Sequence, residues 1–474
     1  MSKYETVIGL ELHCALKTNS KVFSPSKNSY SEVPNIYANE IDLSFPGIMP
    51  SLNKEAVRKA LKMSMVLGCT QPDELLFDRK NYYYPDLPKG FQITQVTKPV
   101  GINGKIGLYA DGKDFTVYIH DIHLEEDTAS LDHYDTYSLI NYNRCGAPLI
   151  EIVTTPCLHS GEEAVAFLEY LANSFKYCDI SEADTKKGQI RCDVNINLKN
   201  KEGKYVTPKV EIKNINSFSH VVEAINYEVK RQTEALDLGI EELVQETRRY
   251  DESTNTTIRM RTKVDSVDYK YFVEPNIPRI KIETSYLEEI KKEIPVLPNV
   301  RLIKYIKEYG FTEGDAKTIV RDIDLSDYFE ELVSLGVAPK TAFNWISSQI
   351  IGYLNKEYTN IKDFYLTPRL LKEIIDAINN GVISSKQGKE LFYLCLDEKQ
   401  EPSVLIKTHN MSQMSDDGTL SDIIDKIIEN NPEQRKAFHN GRSNLFDYFV
   451  GQVMKETRGK ANPVKVKEIL NERL

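Results

Sequence analysis

The chain lacks most of the signatures by which nucleotide and metal sites are usually found. There is no G-x-x-x-x-G-K-[ST], no G-x-G-x-x-G and no H-E-x-x-H, so a P-loop, a dinucleotide fold and a zincin helix are excluded. The seven cysteines (14, 69, 145, 157, 178, 192 and 395) are scattered without a C-x-x-C. That argues against a zinc ribbon and a disulfide framework, and a reducing cytosol is the simplest compartment. No uninterrupted apolar run is long enough for a membrane span, and the start MSKYETVIGLEL lacks the pattern of a secretory signal. No internal repeat or low-complexity block occurs, and there is a single tryptophan.

What is present is an ordinary globular composition over 474 residues, with 41% hydrophobic and 27% charged residues. That length is too great for one core, so two or three domains are expected. Net charge is −10, which argues against nucleic acid, but the balance is uneven. From Arg435 onward there are nine Lys/Arg against four Asp/Glu. A basic end on an acidic body suits phosphate contacts, although a solvated helix face reads the same way.

Residues 1 to about 285 mix strand-like alternation with amphipathic helices, and residues from about 290 onward read as almost entirely helical. The two prolines of IPVLPNV (294–300) mark one boundary and the polar stretch 409–419 a second. The expected domains are therefore 1–293, 294–408 and 409–474, in the α+β class. Helices are expected after Asn53, with Gly68 as the stop. Another should follow Ser160, which with Glu163 spells a capping box, and a third should run from Phe218 to Val229.

The strands carry the chemistry. Residues two apart in a strand share a face. In VIGLELH, Ile8, Leu10 and Leu12 lie on one side and Glu11 and His13 on the other. In IHLEED, His123, Glu125 and Asp127 share a side. In IRCDVNINL, apolar residues alternate with Arg191, Asp193, Asn195 and Asn197, and in KVEIKN, Val210 and Ile212 alternate with Glu211 and Lys213. Glu151 is one acid in the apolar run PLIEIV. A solvated second face explains most of these strands. It does not explain Glu151, because a lone buried carboxylate is costly unless paired or bound to metal. The pattern reads as a sheet floor that collects carboxylates around a divalent ion, and hard oxygens with an imidazole suit Mg²⁺ or Mn²⁺.

ATP, if used, must sit on that floor. Arg79, Lys80, Arg144, Arg191, Lys213 and the group Arg248, Arg249, Arg259 and Arg261 are cations available to phosphate oxygens. Of these, Lys80, Arg191 and Lys213 are the candidates to act on the transferred group. Arg79, Lys80, Arg144 and Tyr82 are the candidates to hold the nucleotide. The run Tyr82, Tyr83, Tyr84 suits stacking on a base, and equally suits a strand packing its rings.

At this point the sequence resembles the GatB subunits of the GatCAB amidotransferases. The resemblance rests on YETVIGLELHCALKTNSKVFS, FDRKNYYYPDLPKGFQITQ, IHLEEDTAS, NRCGAPLIEIV, IRCDVNINL, VEIKNINSF, QETRRYDESTNTTIRMRTK, DYKYFVEPNIP and the C-terminal FVGQVMKETRGKANPVKVKEIL. They occur in order through nearly the whole chain. The resemblance implies an antiparallel cradle like the glutamine synthetase catalytic fold, a helical middle domain and a small tail (YqeY-like) that touches tRNA. It implies ATP and Mg²⁺ (or Mn²⁺) as cofactors, and an amidase subunit and a small third subunit as partners. The substrate would be Glu-tRNA(Gln), Asp-tRNA(Asn) or both, phosphorylated on the side-chain carboxylate and then amidated. Matched by motif, Glu11, His13, Glu125 and Glu151 fall where the family places metal ligands, and Lys80 falls in a segment lining the phosphate site. The chain departs from the family's usual pattern at Thr155 and Cys157, and at Lys186 and Lys187, where acids are usual. Competing readings are a stand-alone carboxylate–amine ligase or guanidino kinase, and a paralogue that binds tRNA without catalysis.

Overall fold

The computed structural model describes residues 3–262, 268–411, 417–457 and 461–474. It divides into two compact units, Met1–Ile323 and Asp324–Leu474.

The first unit is built on an eight-stranded sheet. Its strands are β1 (Glu5–Ala15), β2 (Gly101–Ala110), β3 (Lys113–Glu126), β4 (Pro148–Thr154), β5 (Ile190–Lys199), β6 (Val210–Ile215), β7 (Glu246–Asp251) and β8 (Thr256–Thr262). They lie in the order β8-β7-β6-β5-β1-β4-β3-β2. All neighbours are antiparallel except the parallel pair β6 and β7. The fold is therefore α+β with a mostly antiparallel sheet.

The expected alternation decides which face is which. Ile8, Leu10, Leu12 and Cys14 of β1 are fully buried, as are Val194, Ile196 and Leu198 of β5. All of these except Leu198 join helices α1 (Lys54–Val66), α2 (Gly161–Tyr177) and α3 (Phe218–Leu238) in one core. The opposite face carries Glu11, His13, Arg191 and Asp193.

Local signals set the helix ends. The Asn53 side chain accepts from the N–H groups of Glu55 and Ala56 at the start of α1. Gly68 follows the end with φ +64°, a conformation that suits glycine. Ser160 caps α2 by accepting from Glu163 N–H. The expected capping box is only half formed, because the Glu163 carboxylate bonds the His159 N–H rather than that of Ser160. The buried face of α3 also differs from its apolar reading. Val221 and Ile225 are inside, but so are Glu228 and Gln232.

Beyond Thr284 the described residues form helices and no strand. Pro298 stands in the first turn of the helix Pro298–Lys307, within the first unit. In the second unit, the helices Asp417–Glu429, Leu445–Glu456 and Pro463–Arg473 close a small core around Leu420, Ile424, Phe449, Val453, Val466 and Leu470. Of the basic residues at this end, Arg458 and Lys460 lie outside the described residues. Arg435, Lys436, Arg442, Lys455, Lys467 and Arg473 are exposed.

Candidate active site

The polar face of the sheet gathers two groups of ligating side chains. Register explains the first. His13 stands opposite Glu151 across β1 and β4, and Glu151 stands opposite His123 across β4 and β3. Glu125 lies two residues beyond His123 on the same face. His13 Nε2 is 3.5 Å from a Glu125 oxygen and 3.4 Å from a Glu151 oxygen. The ligand atoms of His13, Glu125 and Glu151 lie within 4.8 Å of one another. His123 completes the arrangement, with Nε2 2.9 Å from Glu151 and Nδ1 2.9 Å from Asp121. Thr94 donates its hydroxyl hydrogen to Glu125.

The second group is Glu11, Asp193 and Glu211, whose ligand oxygens also lie within 4.8 Å of one another. Glu11 faces Asp193 across β1 and β5, and Asn195 faces Glu211 across β5 and β6. Asn195 Nδ2 donates to Glu11 at 2.9 Å, and Thr247 donates to Glu211 at 2.8 Å. Lys213 Nζ lies across this group, 2.5 Å from Asp193 and 3.1 Å from Glu211. Because Glu11 and His13 are two residues apart on one strand, the groups are neighbours, roughly 7 Å apart along β1.

The electrostatics of the first group follow from crowding negative charge in a buried place. Burial alone would lower the His13 pKa, but the hydrogen bond to Glu151 and the charges of Glu151 and Glu125 outweigh it and raise the value. At His123 the same contest, with Asp121 and Glu151 as partners, pushes the pKa up to about 10. Burial and the Glu151 charge raise Glu125. Glu151 goes the other way. Burial opposes its charge, but hydrogen bonds from His123 and His13 hold it well below the usual carboxylate range. The two carboxylates are thus coupled, with the charge kept on Glu151. The imidazoles are drawn towards their protonated form by an excess of acid, and a divalent cation would neutralise the same excess.

The candidate cations are distributed unevenly. Arg191 and Arg144 both meet Asp127, at 3.3 and 3.2 Å, and each is half exposed at the rim. Lys80 projects beside the first group. Its Nζ is 4.9 Å from the Tyr269 ring centroid, and its charge lowers the Glu125 pKa. Arg79 is the next residue on the short strand Asp78–Asn81, so it points the other way. It forms a two-pronged bond to Glu274 and lies against the Phe91 and Phe272 rings, away from the carboxylates. Arg248 and Arg259 bond Glu246 on the core side of the sheet. Arg249, in register with Lys213, and Arg261 are exposed.

The tyrosine run follows the strand rather than lying in it. Tyr82 is half-buried and edge-on to Tyr269, while Tyr83 is 94% exposed. Thr155 and Cys157 sit beside Tyr118, where Thr155 N–H donates to the Tyr118 carbonyl and Tyr118 N–H donates to Cys157 Sγ. Lys186 and Lys187 are exposed on the turn before β5. None of these departures removes a member of either group.

Asp193, Glu211 and His123 were not among the sequence-based site residues. Each lay on a polar face already recognised. Strand alternation alone could not show that β1 runs between β4 and β5, which is what brings them together.

The comparisons with known proteins decide the family. The profile of the GatB/GatE catalytic domain matches residues 6–288, and that of the GatB domain matches residues 327–474. The chain belongs to the GatB family. The B subunit of the aspartyl/glutamyl-tRNA(Asn/Gln) amidotransferase from Geobacillus kaustophilus is 43% identical over 472 residues, 99% of both chains. Proteins of the same name from Oceanobacillus iheyensis and Bacillus mycoides are each 42% identical, again over 99% of both chains. Both ligand groups and every candidate cation, from Arg79 to Arg261, lie inside the region matched by the catalytic profile.

Proposed function

We propose that this chain is the ATP-using subunit of a tRNA-dependent amidotransferase. It would activate the side-chain carboxylate of Glu-tRNA(Gln), Asp-tRNA(Asn) or both, and so lead to Gln-tRNA(Gln) or Asn-tRNA(Asn). The observation that carries this is the pair of adjoining ligand groups, His13/Glu125/Glu151 and Glu11/Asp193/Glu211, on one polar sheet face. The donor sets fit hard divalent ions: one is three carboxylates, the other two carboxylates and an imidazole. Mg²⁺, or Mn²⁺, would be held there and would supply charge neutralisation of the ATP phosphates during phosphoryl transfer.

The chain's own residues do the rest by position and charge. Asp121 fixes the His123 ring, and His123 in turn orients Glu151. Lys80, Arg191 and Lys213 act on the transferred phosphoryl oxygens, and Arg144 and Tyr82 hold the nucleotide. Arg79, bonded to Glu274, serves by bracing the strand that presents Lys80. A carboxylate is a poor electrophile, whereas an acyl phosphate has a good leaving group. Ammonia then forms the C–N bond as phosphate departs. No nucleophile arrangement for making ammonia is assigned to this chain. An amidase subunit and a small third subunit, forming a heterotrimer, would supply it.

We further propose that the functional division follows 1–293, 294–408 and 409–474. The first is a cradle like the glutamine synthetase catalytic domain, supported by its antiparallel sheet with helices on one face and acids on the other. The last contacts tRNA through its exposed cations. A cytoplasmic site of action fits seven cysteines that are all free. No helix among the described residues is long and apolar enough to cross a membrane.

The test is to purify the chain with its amidase and small subunits and assay each mischarged tRNA with ATP, Mg²⁺ and glutamine or ammonium. Conversion of either tRNA, lost on chelation, is the expected result. Binding of tRNA without conversion would favour the paralogue that only binds.

A further inference from the structure

Asp86 is the exception among the acids near this site. Among the described residues, every other carboxylate around the first ligand group has a partner. Glu125 meets Thr94 and His13, and Glu151 meets both histidines. Glu126 accepts from Lys89 and from the Ile93 N–H, and Asp127 meets Arg144 and Arg191. Asp86 Oδ1 is buried and has no hydrogen-bond partner among the described residues.

The residue is tied to the segment that follows Glu125 and Glu126. Its carbonyl accepts from Ala129 N–H at 2.9 Å, which ties the turn to the segment just after β3, the strand that carries Glu125. Tyr82 marks the neighbourhood. Burial first, then the charges of Asp86, Glu125 and Glu126, raise its phenol pKa, so one ring senses all three acids. A buried carboxylate oxygen without a donor is costly, and a neutral hydrogen bond offsets that cost less fully than a cationic one.

We infer that Asp86 is the binding residue for a protonated amine at the reaction centre. This inference rests on the function proposed above. Charge selects the ligand class. ATP, phosphate, the substrate carboxylate and the RNA backbone are anionic and would be repelled. The reaction holds two cationic amines: ammonium on its way to becoming the nucleophile, and the α-ammonium of the aminoacyl ester. Both offer N–H donors to Asp86, and the same ion pair serves either. With ammonium it gathers the nitrogen source beside the acyl phosphate. With the α-ammonium it fixes the aminoacyl group so that its side chain faces the ligand groups.

The experiment compares Asp86→Asn and Asp86→Glu with wild type in the assembled complex. It measures KM for ammonium, KM for Glu-tRNA(Gln), and the rate on N-acetyl-Glu-tRNA(Gln). If ammonium is the ligand, Asp86→Asn raises KM for ammonium about tenfold and leaves that for tRNA unchanged. If the α-ammonium is the ligand, KM for Glu-tRNA(Gln) rises about tenfold, and wild type and variant become alike on the acetylated substrate. In both cases Asp86→Glu, which keeps the charge, recovers part of the loss. A variant with both constants within about twofold of wild type overturns the inference, as does a lower kcat and melting temperature with neither KM changed. A wild-type complex without ATP-dependent amidation would overturn the function beneath it, a distinct failure seen before any variant is made.

Discussion

Two groups of charged side chains lie on opposite faces of the same sheet, and they are built differently. On the helix face, Glu228 of α3 and Glu246 of β7 are almost wholly buried. Arg231, Arg248 and Arg259 meet them, with Glu241 as a third acid. Three acids face three arginines, and Thr257 and Gln232 satisfy remaining oxygens of Glu228. On the open face, the five carboxylates Glu11, Glu125, Glu151, Asp193 and Glu211 share, among the described residues, Lys213 and two histidines that must be protonated to help. The first group is neutral and closed. The second is short of positive charge and open. Burial of charge is common to both, so burial alone does not mark a site. The unmet negative charge does.

That contrast can be broken by removing one acid from each side. The largest effect is expected on the closed side. Glu246→Ala removes the buried acid shared by Arg231, Arg248 and Arg259, leaving Arg248 only Glu228 and Arg259 only Glu241 as acids among the described residues, and should cost ~3 kcal/mol in denaturant unfolding, with divalent-ion affinity unchanged. A loss of under about 1 kcal/mol would show that the network is not a structural lock. On the open side the outcome should invert. Glu125→Gln removes one of several repelling acids, so stability should hold or rise. ATP-dependent amidation should fall by about 100-fold or more, since even outer-shell partners of metal ligands are worth 10–100-fold. Unfolding of this variant near physiological temperature would contradict the division.

Lys213 sharpens the comparison because, among the described residues, it is the one lysine or arginine bonded to a member of either ligand group. Lys213→Met should tighten Mn²⁺ binding at Glu11, Asp193 and Glu211 by removing a competing charge. It should also slow phosphoryl transfer by about tenfold, as a charge-assisted contact is lost. Weaker Mn²⁺ binding would mean that Lys213 organises the acids rather than competing for them. The smallest effect belongs to an ion pair outside both groups. Arg58, then Lys62, hold the Glu293 pKa down to about 2. The folded value is depressed, so the contribution is complete above the ordinary glutamate range and is lost as pH falls towards about 2. Glu293 is partly exposed, so Glu293→Gln should cost under about 1 kcal/mol at neutral pH, and the difference should vanish in acid. A difference independent of pH would assign the effect to packing.

Alternation in VIGLELH and IRCDVNINL was enough to separate the core face from the polar face, because a strand has a period of two. The misfit of Glu151 among Leu, Ile and Val pointed to a ligand on simple cost grounds. Neighbour relations were not legible. Glu11 meets Asp193 and Glu211 only because β1, β5 and β6 lie side by side. Arg79 reads as a phosphate ligand in the sequence, yet it bonds Glu274, 195 residues away. Glu228 and Gln232 are not part of the apolar stripe of α3, yet both are buried, because Glu228 meets Arg248 and Thr257 of distant strands and Gln232 meets Thr207. Local pattern fixes faces and caps, whereas long-range pairing decides which charges are spent on structure and which remain for chemistry.

The open face should bind divalent ions at two adjoining places. Counting Mn²⁺ bound per chain in the assembled complex with ATP, for wild type and for Glu11→Gln and Glu151→Gln, tests it most directly. Wild type should bind one more ion than either variant, and each variant should retain the other. Equal counts in all three proteins would contradict the account.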